Sequence, residues 1–367
     1  TGLGKTSVMA IWLIARQANP ALPRRLVYVV DRRVVVDQAT TEAERLKEKS
    51  AAPLVISTLR GQHADNRLWL EDPSRTAIIV GTIDMIGSRL LFEGYGVSRR
   101  MRPYHAGLLG ADTLVVLDEA HLCPPFQALV GSIASDETLK PEGAARRAIV
   151  PPLRLLPLSA TGGGDGGEKP FRLEADDWDQ ATQPRVHQRF TARKRLRLHE
   201  VSDSKALPQA LADRAWALGE GGQRVLIYCH AHETAKRVAE ALQGPAKEKR
   251  TFDLELIVGK RRVYERQALI CRLRELGFIG GGGDRGAPAF VVATSAGEVG
   301  IDIDADHMVC DLVAFERMVQ RLGRVNRAGG DGRVATVEVV CAPPEAPKAG
   351  GKDDAKTRAA RERVALF

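Results

Sequence analysis

The sequence is poor in cysteine and aromatic residues and has no long apolar run, and each scarcity excludes a class of protein. No stretch approaches the roughly 18–20 apolar residues of a membrane span, and no signal-peptide pattern is present. The five cysteines never form Cys-x-x-Cys, which argues against zinc and favours a reducing cytoplasm, where we expect the protein. Aromatic residues at 5% disfavour a surface that stacks on nucleic-acid bases.

Positive charge is what the chain has in excess. Its formal net charge is +8 and its pI is near 9.3, which favours a polyanionic partner. Because the chain is basic and poor in aromatics, we expect a groove that follows phosphates.

Short apolar runs followed by polar or helical sequence indicate parallel sheets covered by helices. The predicted strands are Leu26–Val30, Ala77–Val80, Thr113–Leu117, Leu153–Leu158, Val225–Cys229, Leu254–Val258, Phe290–Ala293 and Val334–Cys341. We therefore predict an α/β fold of two tandem domains, each with a mainly parallel sheet flanked by helices. The predicted bounds are 1–165 for the first domain, 166–185 for a linker that follows a glycine cluster, 186–342 for the second domain and 343–367 for a charged tail.

A glycine-rich turn opens the first predicted helix, which covers residues 6–18. Backbone N–H groups at a helix N-terminus attract phosphate, Lys5 could bridge the β- and γ-phosphates of ATP, and the Thr6 hydroxyl could bind Mg²⁺. The first glycine of such a phosphate loop would precede the chain's first residue, so we expect a strand upstream. The residues assigned to ATP binding here are Thr1, Gly2, Leu3, Gly4, Lys5, Thr6 and Ser7.

Two carboxylates follow the predicted strand Thr113–Leu117. Asp118 would hold Mg²⁺, and Glu119 would polarise the attacking water. His121 is predicted to relay the nucleotide state, with a buried core histidine as the alternative. Hydroxyls of Ser159 and Thr161 are predicted to hydrogen-bond this acidic strand end and so assist the coupling.

The second half carries two further segments. In the first, Thr294 and Ser295 are predicted to contact nucleic-acid phosphates. Gly300, which would permit close approach of the other domain, and Asp302, which would meet the ribose of ATP or an interface arginine, are assigned to ATP binding. In the second, which we call the arginine segment (residues 320–327), one helical face is predicted to aim several side chains at one phosphate. These side chains, predicted to be catalytic, are Gln320, Arg324 and Arg327.

Together these segments resemble the superfamily-2 helicases of the DEAH type, and most closely the CRISPR-associated type I helicase-nucleases. The pointers are Val80–Asp84, Asp118–His121, Glu298–Asp306 and Gln320–Arg327, while Tyr28–Ala39 is similar to the I-U/I-G branch. The resemblance implies two RecA-like domains that clamp ATP and Mg²⁺ in a cleft between them. It also implies 3′-to-5′ translocation on single-stranded DNA and unwinding of a target already opened by a guide-RNA complex. The DNA path would be lined by Thr82, Thr294 and the residues Arg32 and Arg33.

One departure from this family concerns its nuclease. An HD nuclease needs paired His and Asp ligands, and the sequence contains no His-Asp dipeptide among its eight histidines. We therefore expect no nuclease site in this segment and an HD nuclease module outside it. Two other readings stay open, namely a DEAH-type RNA helicase and an ATP-gated clamp that recruits a partner without unwinding.

Overall fold

The computed structural model describes residues 4–31, 33–60, 66–159, 174–244, 251–259, 263–281, 286–298, 301–330 and 332–343. The chain divides into two compact units, Gly2–Phe171 and Arg172–Phe367, while the finer predicted domain and linker bounds stay predictions. Six predicted site residues lie outside the described part: Thr1, Gly2, Leu3, Arg32, Thr161 and Gly300.

The first unit is a five-stranded sheet with helices on both faces. The strand order is β2-β3-β1-β4-β5, and all of the pairings are parallel. Its strands are β1 (Arg25–Val30), β2 (Val55–Leu59), β3 (Ala77–Thr82), β4 (Thr113–Asp118) and β5 (Arg154–Leu158). Its helices are α1 (Val8–Ala18), α2 (Arg33–Lys49), α3 (Leu68–Glu71), α4 (Ile83–Leu90), α5 (Arg102–Gly110), α6 (Pro124–Ser135) and α7 (Ala144–Ile149).

Strand β1 lies at the centre of this sheet and is buried along its whole length. Successive side chains of a strand point to opposite faces, so β1 contributes to two cores. Val27 and Val29 pack with residues of α4 and α6, whereas Leu26, Tyr28 and Val30 pack with residues of α1 and α2. The continuous apolar run that predicted this strand is typical of a parallel strand covered on both faces.

The second unit is a six-stranded parallel sheet. The strand order is β6-β11-β10-β7-β9-β8. Its strands are β6 (Arg193–Glu200), β7 (Arg224–Tyr228), β8 (Asp253–Ile257), β9 (Ala289–Ala293), β10 (His307–Asp311) and β11 (Val334–Cys341). Its helices are α8 (Pro184–Phe190), α9 (Leu207–Gly219), α10 (His232–Leu242), α11 (Val263–Glu275), α12 (Ser295–Glu298) and α13 (Phe315–Leu322). The predicted fold class, two α/β domains with parallel sheets flanked by helices, is confirmed.

A close backbone contact joins α8 to the loop just beyond the arginine segment. Gly329 adopts φ +70°, and a Cβ atom at this position would lie 1.9 Å from the Gln188 carbonyl oxygen. Only glycine combines this backbone conformation with such close approach. Nearby, the buried Asn326 side chain donates hydrogen bonds to the carbonyl oxygens of Arg193 and Arg333, both at 3.0 Å. The loop after α13 is therefore held to α8 and to the first residue of β6.

Among the helices that the structure describes, none is both long and apolar enough to cross a membrane.

Candidate nucleotide site and arginine segment

The best-formed polar site of the first unit lies at the carboxyl ends of its strands. Gly4 adopts a left-handed conformation with φ +80° and leads into the turn Lys5–Ser7, whose Ser7 N–H donates to the Gly4 carbonyl at 2.8 Å. Asp118 is the last residue of β4, and Glu119 follows it. The Lys5 Nζ atom lies 3.3 Å from Asp118 Oδ1 and 2.7 Å from Glu119 Oε1. The three residues predicted to handle phosphate, metal and water are thus in direct contact.

The charges of this site suit a magnesium nucleotide. The Lys5 Nζ atom is buried, and although it forms two ion pairs, none of its contacts among the described residues has hydrogen-bond geometry. An ammonium in this state has donors left for phosphate oxygens. Mg²⁺ is commonly held by one or two protein oxygens together with nucleotide phosphates and waters. Lys5, the half-buried Thr6 and Asp118 would hold the nucleotide and its metal, which would supply charge stabilisation at the transferring phosphoryl group.

Tyr28 on β1 orients the carboxylate of Asp118, and sequence reasoning missed it. Its hydroxyl donates to Asp118 Oδ2 at 3.0 Å, and the backbone N–H of Glu119 donates to Asp118 Oδ1 at 2.9 Å. Burial, reinforced by the Asp118 charge, raises the pKa of the Tyr28 hydroxyl, so that it stays a donor. The two residues are 90 positions apart, and only the parallel neighbours β1 and β4 bring them together.

Glu119 occupies an uncommon backbone conformation. Its φ of 51° and ψ of 48° lie in the left-handed region, which residues other than glycine rarely adopt. This conformation turns the chain sharply after β4 and leaves Glu119 beside Lys5. Such strain persists where the surrounding structure imposes it, often at functional sites.

Removal of the Tyr28 hydroxyl should weaken the metal site. We expect Tyr28→Phe to raise the Mg²⁺ concentration for half-maximal ATP hydrolysis by about 10–100-fold, the usual effect of losing a partner of a metal ligand. Tyr104→Phe is the control, because that hydroxyl donates to the Leu70 carbonyl at 3.0 Å and, in the part of the chain that the structure describes, makes no hydrogen bond to Asp118. Equal Mg²⁺ dependence of the two variants, measured by titrating the ATPase, would contradict the role of Tyr28.

Two of the three predicted coupling residues, His121 and Ser159, are adjacent, and the third, Thr161, lies outside the described part. His121 Nδ1 lies 3.0 Å from Ser159 Oγ, and 3.6 Å from Glu119 Oε2. The end of β5 is therefore connected through His121 to the acidic end of β4. What this connection transmits stays a prediction.

The predicted nucleic-acid residues end strands or begin helices. Thr82 ends β3, is 6% exposed, and accepts a hydrogen bond from the Met85 N–H at 3.4 Å as the cap of α4. Thr294 follows β9 and is 7% exposed, and Ser295 begins α12. Arg33 begins α2, but its side chain lies outside the described part. The role of these residues in DNA binding stays a prediction.

The arginine segment does not form the single helical face that its spacing predicted. Helix α13 ends at Leu322, and Asn326 has a φ of 43°, so Arg324 and Arg327 lie in the loop beyond the helix. The prediction of one helical face was wrong, because Gly323 ends the helix before the repeat is complete. Gln320 lies within α13 and is buried.

The loop nevertheless brings the two predicted catalytic arginines to one carboxylate. Arg327 Nη1 lies 2.7 Å from Asp302 Oδ1, and Arg324 Nη1 lies 3.9 Å from the same oxygen. Arg324 also donates two hydrogen bonds, at 3.1 and 3.0 Å, to the Glu298 carbonyl oxygen. These contacts lie within the second unit, and the assignment of Asp302 to the ribose of ATP or to an interface arginine stays a prediction.

Comparison with known proteins finds a helicase family for each half of the chain. Residues 1–161 match the family described as DEAD/DEAH box helicase, and residues 221–330 match the C-terminal region of the CRISPR-associated nuclease/helicase Cas3. No curated protein gave a match.

Among solved structures, T. fusca Cas3 with ATP is similar at a TM-score of 0.62 and 19% identity, over 95% of this chain and 44% of that chain. The DUF1998 helicase MrfA bound to DNA and AMPPNP is similar at 0.57 and 14% identity, over 96% and 46%. S. cerevisiae Dbp5 bound to RNA and ADP BeF3 is similar at 0.53 and 16% identity, over 100% and 82%. The chain thus spans less than half the length of the matched Cas3 and MrfA chains.

These comparisons confirm the resemblance to superfamily-2 helicases. Residues 1–161 are similar to DEAD/DEAH box helicases and residues 221–330 to the C-terminal region of Cas3, while the similarity to the solved Cas3 structure shows the fold. The finer similarity to the I-U/I-G branch stays a prediction.

Proposed function

From the premise that this chain joins a DEAD/DEAH box domain to a Cas3-like C-terminal domain, we propose that it is the motor of an ATP-dependent helicase or translocase. Its track would be single-stranded DNA, and its setting would be CRISPR antiviral defence alongside a guide-RNA effector complex. A nuclease module of the HD type would belong outside this segment.

One observation carries the ATPase part of this proposal. Lys5 is in contact with both Asp118 and Glu119 at the carboxyl edge of a parallel sheet. A chance Gly-Lys-Thr sequence would have no reason to lie against two carboxylates 113 residues further on. The edge where parallel strands end is where α/β proteins bind their ligands.

The residues divide the chemistry between them. The Lys5 ammonium and the backbone N–H groups of Lys5 and Thr6 would bind the phosphates, and Asp118 with Thr6 would position the metal. The Glu119 carboxylate orients and polarises the attacking water. Because Lys5 already neutralises Glu119, arrival of the triphosphate would draw the ammonium toward phosphate and release Glu119 to act on water.

The arginines of the second unit would complete the reaction. Arg324 and Arg327 would approach the γ-phosphate in a cleft between the two domains and stabilise charge that develops during transfer. An active site shared in this way makes hydrolysis depend on domain motion, which is the usual basis of movement along a nucleic acid.

Stimulation of the ATPase by different nucleic acids tests the proposed track. We expect single-stranded DNA to stimulate hydrolysis more than single-stranded RNA of the same sequence, and a strand-displacement assay to detect ATP-dependent unwinding. Greater stimulation by RNA would indicate an RNA helicase, and stimulation without displacement would indicate a clamp. Binding should also weaken steeply as salt rises, because the +8 charge points to phosphate contacts that release counterions.

A further inference from the structure

Glu298 is a buried carboxylate of the second unit to which sequence reasoning gave no role. Its side chain is 3% exposed and accepts from Arg317 at 2.7 and 3.1 Å and from Arg321 at 2.8 Å. Its backbone carbonyl accepts the two hydrogen bonds from Arg324. One residue therefore joins two anchoring arginines to the proposed catalytic arginine.

The anchors of Glu298 are themselves fixed. Arg321 is fully buried, donates to Asp311 Oδ1 at 2.9 Å and to the Asp311 carbonyl at 2.8 Å, and its guanidinium carbon lies 5.2 Å from the centre of the Tyr228 ring. Arg317 Nη1 lies 2.8 Å from His230 Nδ1. The carboxylate is thus held by groups from the ends of β7 and β10 and from α13.

The charges of this network balance within it. Glu298 and Asp311 face Arg317 and Arg321, so the buried part is neutral without Arg324. Although burial alone would raise it, the arginine contacts lower the pKa of Glu298, which therefore remains ionised. Within this network Arg324 meets a neutral carbonyl, so Glu298 does not neutralise its charge; the exposed Asp302 carboxylate, 3.9 Å from Arg324 Nη1, lies outside the network.

Helix α12 could not hold that carbonyl by itself. It has four residues, and so short a helix has almost no stability from its own hydrogen bonds. The groups that fix the position of the Glu298 carbonyl are the clamped carboxylate of the same residue and the Tyr228 hydroxyl, which donates to the neighbouring Gly297 carbonyl at 2.8 Å.

We propose that Glu298 is a positioning residue for Arg324: its carboxylate, clamped by Arg317 and Arg321, fixes the carbonyl that aims the Arg324 guanidinium. The inference rests on the proposed function, because it explains how the Arg324 guanidinium is oriented toward the phosphate in the proposed site. A residue that only stabilises the core would affect folding but would not act through Arg324.

A double-mutant cycle separates these roles. In the intact motor, Glu298→Gln should lower kcat for ATP on the order of 10²-fold, as small misplacements of catalytic groups do, with KM nearly unchanged. In an Arg324→Ala background the same change should lower kcat by less than about threefold, because the residue through which it acts is gone. Glu338→Gln is the matched control: this carboxylate is also buried in an arginine network of the second unit, with Arg197 and Arg214, but has no contact with Arg324 among the described residues.

Equal losses of kcat in both backgrounds, or equal losses from Glu298→Gln and Glu338→Gln, would overturn the proposal. If Glu298→Gln does not fold, Arg317→Gln is the substitute, because it removes one of the two arginines that bind the Glu298 carboxylate and lies at a partly exposed position. The effect of Arg317→Gln on kcat should also vanish in the Arg324→Ala background.

A second measurement needs no hydrolysis. Proton exchange at the Arg324 Nε–H, followed by NMR on ¹⁵N-arginine-labelled protein, should be slow in the parent and at least tenfold faster in Glu298→Gln, with no change in Glu338→Gln. Unchanged exchange in Glu298→Gln would refute the positioning role even in an active enzyme. If the parent hydrolyses no ATP and exchange is still accelerated in Glu298→Gln, the proposed function is wrong but the positioning contact is supported.

Discussion

Arg324→Ala is expected to retain binding of ATP and single-stranded DNA while losing nearly all turnover and unwinding. The guanidinium would stabilise the charge of the transferring phosphoryl group more than that of bound ATP, so its loss raises the barrier without weakening the ground state. Arginines in comparable phosphoryl-transfer sites contribute about 10³–10⁵ in rate. Single-turnover hydrolysis and calorimetric nucleotide binding, measured on the intact motor, separate the two effects.

Arg237→Ala supplies the control for this experiment. Arg237 lies on α10 of the same unit, is mostly exposed, and pairs only with Glu233 at 3.3 Å among the described residues, a contact of small energetic weight. The Arg237→Ala variant should turn over ATP at the rate of the parent. If Arg324→Ala hydrolyses ATP within about threefold of the parent, against the 10³ expected, the shared active site is wrong.

The second large effect is expected at Lys5. Lys5→Ala should abolish ATP binding for two reasons that add: the phosphates lose their cation, and Asp118 and Glu119 are left as an uncompensated negative pair facing the triphosphate. Lys5→Met keeps the apolar stem of the side chain and should fail equally, because the loss is one of charge. Isothermal calorimetry with ATP and Mg²⁺ measures both.

Lys140→Ala controls for loss of a paired lysine in the same unit, since Lys140 Nζ lies 2.7 Å from Glu137 Oε1 away from the acidic end of β4. Its nucleotide affinity should match that of the parent. Normal ATP affinity in Lys5→Met would mean that nucleotide binds elsewhere.

The strands that sequence could predict are those whose burial makes them apolar throughout. Strand β1 is buried on both faces and was predicted to within one residue. Strand β6 was missed, because Arg193–Glu200 alternates basic and apolar side chains at the exposed edge of its sheet and reads as a basic run. Strand β2 was missed because Ser57 and Thr58 interrupt its apolar run. Strand β10 was missed because His307 and Asp311 flank a very short apolar core, Met308–Cys310.

The functional residues also divide into those that the sequence could predict and those that it could not. Lys5, Asp118 and Glu119 were predictable because local motifs carry them, and the structure brings them into contact. The contact between Tyr28 and Asp118 was not predictable, because it depends on the pairing of strands that are distant in the sequence. The contact between Glu298 and Arg324 was not predictable either, because it depends on the turn that follows Gly323. The prediction that Arg324 and Arg327 share a helical face was wrong because it required the helix to continue beyond Leu322.

The Gly329 contact has a mechanical consequence. Helix α8 precedes the first strand of the second unit, and Gln188 of that helix touches the loop that carries Arg327. A displacement of α8 or of the start of β6 would reach that loop through the Gly329 contact and through the hydrogen bond from Asn326 to Arg193. Under the proposed function, a pull on the chain where it enters this unit would therefore move Arg327 and change the rate of turnover.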